Sequence, residues 1–329
     1  MHKYIKLFFV ISFIGLALIA EQAPLQTENL NPLYRIFVDG KYGFIDKTGK
    51  IVVEPELDWA WKMKEGMSGI KVDGDYGYID YTGKTVIATQ YRKATDFSEG
   101  LALVKNDSQW LYIDKSGKIV LTPKFDEGYA FCESMAIFRI GEKYGYLDRT
   151  GKVVVASQYD GAEDFTDGLA MVTLGSKRGY IDKTGKVVIP LQYDDAGDFS
   201  EGLGVVKIDG KWGYVDMKGK IVIEPKFDDA LLFAEGLAPV KNGTKWGYID
   251  KTGKILIEPQ FDDAWKFSEN LAAVKMDYKW GYIDRLGKLV IKPQFEQVER
   301  FTDGLALVKI GGEYAYIDKS GEYIWEPTK

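Results

Sequence analysis

Apolar and polar residues alternate along almost the whole chain, in short runs broken by Gly, Asp and Asn. One stretch displays the pattern fully. It predicts a strand over 202–208, a two-residue turn at Asp209-Gly210, a strand over 211–216, a turn at Met217-Lys218-Gly219 and a strand over 220–227. Period-two alternation sends successive side chains to opposite faces of a sheet. An Asp-Gly pair tolerates positive φ at both central positions of a tight hairpin, and Gly219 suits a left-handed turn position. Residues 228–236 then lead to the next copy and are too short for a stable helix.

The same pattern recurs with a fixed period. The slot of Trp212 is filled by Tyr42, Tyr76, Trp110, Tyr144, Arg178, Trp212, Trp246, Trp280 and Tyr314, each 34 residues from the last. A period of this length signals an array or a ring of small units, none of which can bury enough surface to fold alone. Helical repeats of similar period are excluded by the Gly content and the β-branched alternation. The expected fold is all-β: a tandem array of nine 34-residue, three-stranded antiparallel units over 34–329, forming an open, twisted β-array. A propeller-like ring is the alternative. It fits less well because propellers use four-stranded blades, typically about four to eight. The chain also begins and ends at a unit boundary, with no strand to trade across a closure.

Each recurring slot has a structural reading beside a functional one. Asp46, Asp80, Asp114, Asp148, Asp182, Asp216, Asp250, Asp284 and Asp318 each precede a Gly by three residues. A carboxylate there accepts backbone N–H groups across a turn; calcium would want a denser set of oxygens. A second acidic slot, from Glu65 to Asp303, precedes a Gly, Ser or Asn and points to another turn with positive φ. Two residues before it stands Met63 or a Phe, such as Phe97 or Phe233, expected to plug the connector under the sheet. Trp212 and Tyr214 share one face of their strand, and Gly213 opposite them invites close approach of another backbone or ring. The aromatic ladder is either core between units or an exposed stripe that stacks on sugars. In the second case Trp110, Trp212, Trp246 and Trp280 are the ligand-binding residues.

The pattern Lys-Trp-Gly-Tyr-Ile-Asp-Lys-x-Gly-Lys, followed by Pro-x-Phe-Asp and Phe-Ser-Glu-Gly-Leu-Ala, resembles the WG-repeat family of bacterial proteins over about 34–327. Copies around Trp212, Trp246 and Trp280 fit best. Leu111 and Ala315 replace the Gly, and Arg178 replaces the aromatic. The resemblance implies a β-rich repeat module, often exported, with no common activity and no catalytic residues to carry over.

Composition narrows the function. The net charge is −6, and Lys and Arg are spread without a basic block, so no nucleic-acid partner is expected. The only histidine is His2, which removes histidine-based nucleophilic and metal chemistry from the repeats; no cofactor and no metal are expected. Lone Cys132 fills a slot of small residues and is expected to be a small, buried or half-buried, unreactive side chain. Carboxylate pairs such as Asp228-Asp229 and Asp262-Asp263 are the one enzymatic option, a glycosidase-like site. They recur, whereas an active site is singular. Residues 1–20 combine basic Lys3 and Lys6 with the uncharged apolar run 7–20, which reads as a signal peptide, with an uncleaved N-terminal anchor as the alternative. Residues 21–33 are a polar linker. The expectation is therefore an exported, non-enzymatic repeat scaffold at the cell envelope or outside the cell, binding an unknown protein or a cell-envelope glycan. The membrane enters only if the N-terminal segment stays uncleaved.

Overall fold

The computed structural model describes residues 32–328. Residues 1–20, expected to be a signal peptide or anchor, and the linker up to residue 31 lie outside the described residues. Every described element is a strand, and the strands form nine antiparallel sheets. In the sixth sheet Leu203–Ile208, Lys211–Asp216 and Ile221–Phe227 lie side by side, close to the predicted bounds. Both turns adopt the expected backbone, with φ of 49° at Asp209, 79° at Gly210 and 80° at Gly219.

Two expectations are corrected. The units are four-stranded, because the connector itself supplies a short strand. In sheet 7 it is Asp229–Ala230, which pairs beside Leu237–Asn242. The Asp228 N–H donates to the Lys241 carbonyl at 3.0 Å and the Leu231 N–H to the Pro239 carbonyl at 3.0 Å. Without that strand each sheet would present an unpaired edge, and backbone polar groups demand partners. Sheet 1 is the exception among the described residues: it holds only Tyr34–Val38, Lys41–Ile45 and Ile51–Leu57.

The second correction is closure. The sheets are blades of a nine-bladed β-propeller, not an open array. Each blade packs on the next through one recurring interface. Tyr214 donates its hydroxyl to the Leu231 carbonyl of the following blade at 2.8 Å, and its ring lies 4.9 Å from Phe233. The last blade meets the first through different contacts made by the same residue types. Tyr316 donates to the Arg35 carbonyl and Tyr34 to the Asp303 carbonyl, both at 2.8 Å. Tyr34, Ile36 and Ile45 share a core with Leu305 and Tyr316. The tyrosine interface recurs seven times, from Tyr78 to Tyr282, and the ring closes between blades 9 and 1 through Tyr316 and Tyr34 without an exchanged strand.

The short connector strand is the inner edge of blades 2 to 9. Lys64 of blade 2 acts electrostatically on Asp96 of blade 3 and on Asp164 of blade 5. Charges three blades apart in a ring meet only near its axis.

Candidate functional site

The repeat signature is built for blade geometry. A side chain at Gly213 would place its Cβ 2.5 Å from the Ile223 carbonyl oxygen and 2.7 Å from the Pro225 nitrogen. The register explains the crowding: it runs from Trp212↔Phe227 to Tyr214↔Ile223, so the outer strand bulges over the glycine. The expected close approach is thus the blade's own outer strand. Where Leu111 replaces this glycine, the outer strand shrinks to Ile119–Leu121.

The four tryptophans predicted as ligand contacts lie between blades. Trp110, Trp246 and Trp280 are 8%, 7% and 8% exposed, and Trp212 is half-buried. Lysines cover them: Lys207 sits 5.5 Å from the Trp212 ring and Lys275 5.7 Å from Trp280, a cation–π arrangement. The four sit on successive or separated blades and do not converge on one pocket. The tyrosines two residues on are buried completely from Tyr78 to Tyr248, and burial pushes their hydroxyls far above the usual phenol range.

Both acidic slots are occupied by contacts within the chain. Asp46 accepts the Thr48 N–H at 2.8 Å and its hydroxyl at 2.6 Å, the predicted turn, and these bonds hold its carboxyl below the ordinary range. The connector acids do more than the sequence reading allowed. Glu201 accepts the Gly236 N–H of the next blade at 3.0 Å and pairs with Lys251 at 3.0 Å. Glu65, Glu99, Glu133, Asp167, Glu235 and Glu269 repeat the contact. Burial alone would raise Glu65 and Glu201, yet both carboxyls end up lowered because backbone N–H bonds and a lysine outweigh it. The Asp228-Asp229 pair is equally committed. Asp228 takes Lys211 at 2.5 Å and the Gly243 N–H at 2.7 Å, and Asp229 takes the Ala230 N–H at 2.9 Å. Cys132 is half-buried, and its thiol donates to the Phe165 carbonyl at 3.2 Å, as Ser200 does to Phe233 at 2.8 Å. Burial raises this thiol.

The blade interface departs furthest from the repeat at the seam between blades 9 and 1. Blade 1 lacks an inner strand among the described residues. Pro32 stands in the glycine slot and has no N–H to offer Asp303. A cavity of about 390 Å³ opens there, walled by Phe37, Tyr42, Tyr314, Trp265, Leu307 and Trp325. Arg35 lies at its rim, 5.2 Å from the Tyr42 ring, and donates to the Ala60 carbonyl at 2.8 Å. Lys62 and Glu299 pair across the gap. Tyr34, with its hydroxyl pushed up to about 12 mainly by burial and then by Asp303, packs on Tyr316 at 5.5 Å. Sequence reasoning missed this site. Its signal was present in the departures of the terminal copies from the repeat.

The WG containing repeat matches eight times, at 42–74, 76–110, 112–144, 144–177, 179–212, 212–246, 246–280 and 280–314. The chain belongs to the WG-repeat family. No curated protein is similar to it by sequence. Among solved structures, this WG-repeat ring is similar to a eukaryotic initiation factor, with a TM-score of 0.64 and 10% identity over 91% of this chain and 98% of that one. It is also similar to BamB from Moraxella catarrhalis, with a TM-score of 0.45 and 11% identity over 88% and 95% of the two chains. A third likeness is to the dihydro-heme d1 dehydrogenase NirN, with a TM-score of 0.48 and 14% identity over 92% and 74%. At these identities likeness speaks to fold alone. Among the described residues, no cluster of three His, Cys, Asp or Glu side chains could hold a metal.

Proposed function

We propose that this WG-repeat propeller is an exported, non-enzymatic scaffold that binds a protein partner. One observation carries the reading: the aromatic-walled cavity at the seam, concave and apolar with a few charged groups at its rim. The recurring acids and aromatics support it by being committed to blade–blade contacts, so recognition falls to the side chains that break the repeat. Export rests on the basic and apolar pattern of residues 1–20.

The test is capture from crosslinked envelope extract by the full chain, beside a Tyr42→Ala, Trp265→Ala double variant. The expected result is one protein retained by the wild type and lost from the variant. Recovery of nothing beyond what a heat-unfolded control recovers would overturn the scaffold. Export is checked by fractionation of cells making the chain with and without residues 1–20. The glycan reading is examined on the same protein by tryptophan fluorescence: saturable quenching by envelope oligosaccharides would favour it, with Trp110, Trp212, Trp246 and Trp280 or the exposed Trp265 as reporters.

A further inference from the structure

Several departures from the repeat gather at the border between blades 3 and 4. Leu111 stands in the glycine slot, and the outer strand Ile119–Leu121 pairs only with Tyr112 and Ile113. Trp110 therefore has no ladder partner of the kind that Phe227 is to Trp212. Phe125, in the slot of Phe227, reaches over to blade 4 and stacks on Phe138 with ring centroids 6.3 Å apart. Gly128 makes room for it, since a Cβ there would lie 2.3 Å from the Phe125 ring. A groove of about 520 Å³ results, walled by Trp110, Pro123, Phe125, Ile140, Lys105 and Lys124.

The charge in this place is unlike that of the other blades. Where the inner strand meets the next, blades 6, 7 and 8 set Asp195 opposite Lys207, Asp229 opposite Lys241 and Asp263 opposite Lys275, and blade 4 sets Glu127 opposite Arg139. Blade 3 sets Lys93 opposite Lys105. Like charges directly across a ladder destabilise it. Both ammonium groups lie over the buried Trp110 ring, at 5.8 and 5.3 Å from its centroid. Among the described residues neither forms an ion pair; Asp75 and Asp107 are taken by Arg92. Asp126 is the one carboxylate in the groove wall, and its Oδ2 accepts the Gly141 N–H at 2.7 Å.

We propose that this groove is a binding site for a small organic anion with a flat apolar body. Its oxyanion head takes Lys93 and Lys105, with Lys124 beside it, and its body lies against Phe125, Pro123 and Ile140. An oxyanion supplies the negative charge that an aspartate supplies in blades 6 to 8, and its hydrogen bonds with ammonium donors are charge-assisted. The apolar wall is available to it: Ile140 is 48% exposed and Phe125 half-buried. The volume is that of a small-molecule site, with apolar walls and a few placed charges. The groove lies between two complete blades, away from the seam.

The probe is 2-naphthoate, titrated into the full chain by isothermal calorimetry at low salt, beside neutral 2-naphthamide and inorganic phosphate. We expect saturable binding of naphthoate with one site per chain, and binding roughly tenfold weaker or less for the amide, which lacks the charge, and for phosphate, which lacks the body. Lys93→Asp is the deciding variant, because it rebuilds the acid–base pair of blades 6 to 8. It should bind naphthoate roughly tenfold more weakly while its urea midpoint is no lower than that of the wild type. Ile140→Asp, on the exposed side of the groove, should weaken binding by a similar factor. The site is overturned if the wild type takes up no naphthoate at millimolar concentration, if the amide binds as well as the acid, or if Lys93→Asp and Ile140→Asp bind as the wild type does. A fall in the urea midpoint of Lys93→Asp would also overturn it, since the lysine pair would then serve the fold and not a ligand.

Discussion

At the scale of single residues, two kinds of glycine look alike in the repeat and differ in cause. Gly213 has an ordinary backbone but a crowded side-chain site, with backbone atoms of the outer strand at 2.5 and 2.7 Å. Gly100 has φ of 78° and open space around it. Gly213→Ala should therefore cost about 3 kcal/mol, whereas Gly100→Asn should cost about 0.5 kcal/mol or less, since Asn tolerates left-handed backbone. Asn270 already holds the equivalent position at φ of 67°. Urea unfolding of the two variants checks the contrast. The ladder tyrosine makes a second residue-scale prediction. Tyr214→Phe strands the Leu231 carbonyl and should cost about 1–2 kcal/mol by the same measurement. The protein contains its own precedent: Phe44 occupies this slot in blade 1, and there the Ser68 hydroxyl donates to the Trp61 carbonyl at 2.9 Å instead.

At the scale of elements, the connector is the part whose role changed most. It reads as a loop with a turn and proves to be a strand, a turn and a carboxylate clasp on the next blade. Glu201→Gln removes a charge-assisted bond to Gly236 and the pair with Lys251, and should cost about 1 kcal/mol at neutral pH. Its sign with pH follows from a lowered carboxyl: the stabilisation is present above the unfolded value of about 4.3 and lost as pH falls through the lower folded value. The turn aspartates such as Asp216 share that direction, chiefly through the N–H groups of Lys218 and Lys220. The wild type should hold its urea midpoint from about pH 7 to about pH 5 and lose it below about pH 4. The gap between wild type and Glu201→Gln should close over the same range. The strand-and-turn content of each unit was legible because hairpin chemistry is local: Asp209-Gly210 and Gly219 announce themselves. The clasp was not, because nothing in Glu201 names Gly236, 35 residues further on, as its donor.

At the scale of the whole molecule, the seam should govern how the ring opens. Among the described residues, eight interfaces carry an inner strand, and the ninth is made by Tyr34, Tyr316 and the Lys62–Glu299 pair. Regions with fewer buried contacts open first. Native-state hydrogen exchange should show Tyr34–Val38 and Lys41–Ile45 exchanging before the matching strands Leu237–Asn242 and Lys245–Asp250. Uniform protection across the nine blades would contradict that order.

From the sequence alone came the repeat length, the all-β content, the turn chemistry, the family and the reason for the recurring glycine. Each of these is decided within one unit, by alternation and by backbone preferences that neighbouring residues carry. Only the tertiary structure decided that the array closes, that the connector is a fourth strand, and that the ladder tryptophans lie between blades. Those outcomes depend on the angle between successive sheets, which accumulates over nine units and leaves no mark on any one of them. The seam joins the two levels. Pro32 departs from the repeat in plain view, but blades 9 and 1 meet only when the ring shuts, and only then does it stand beside Asp303.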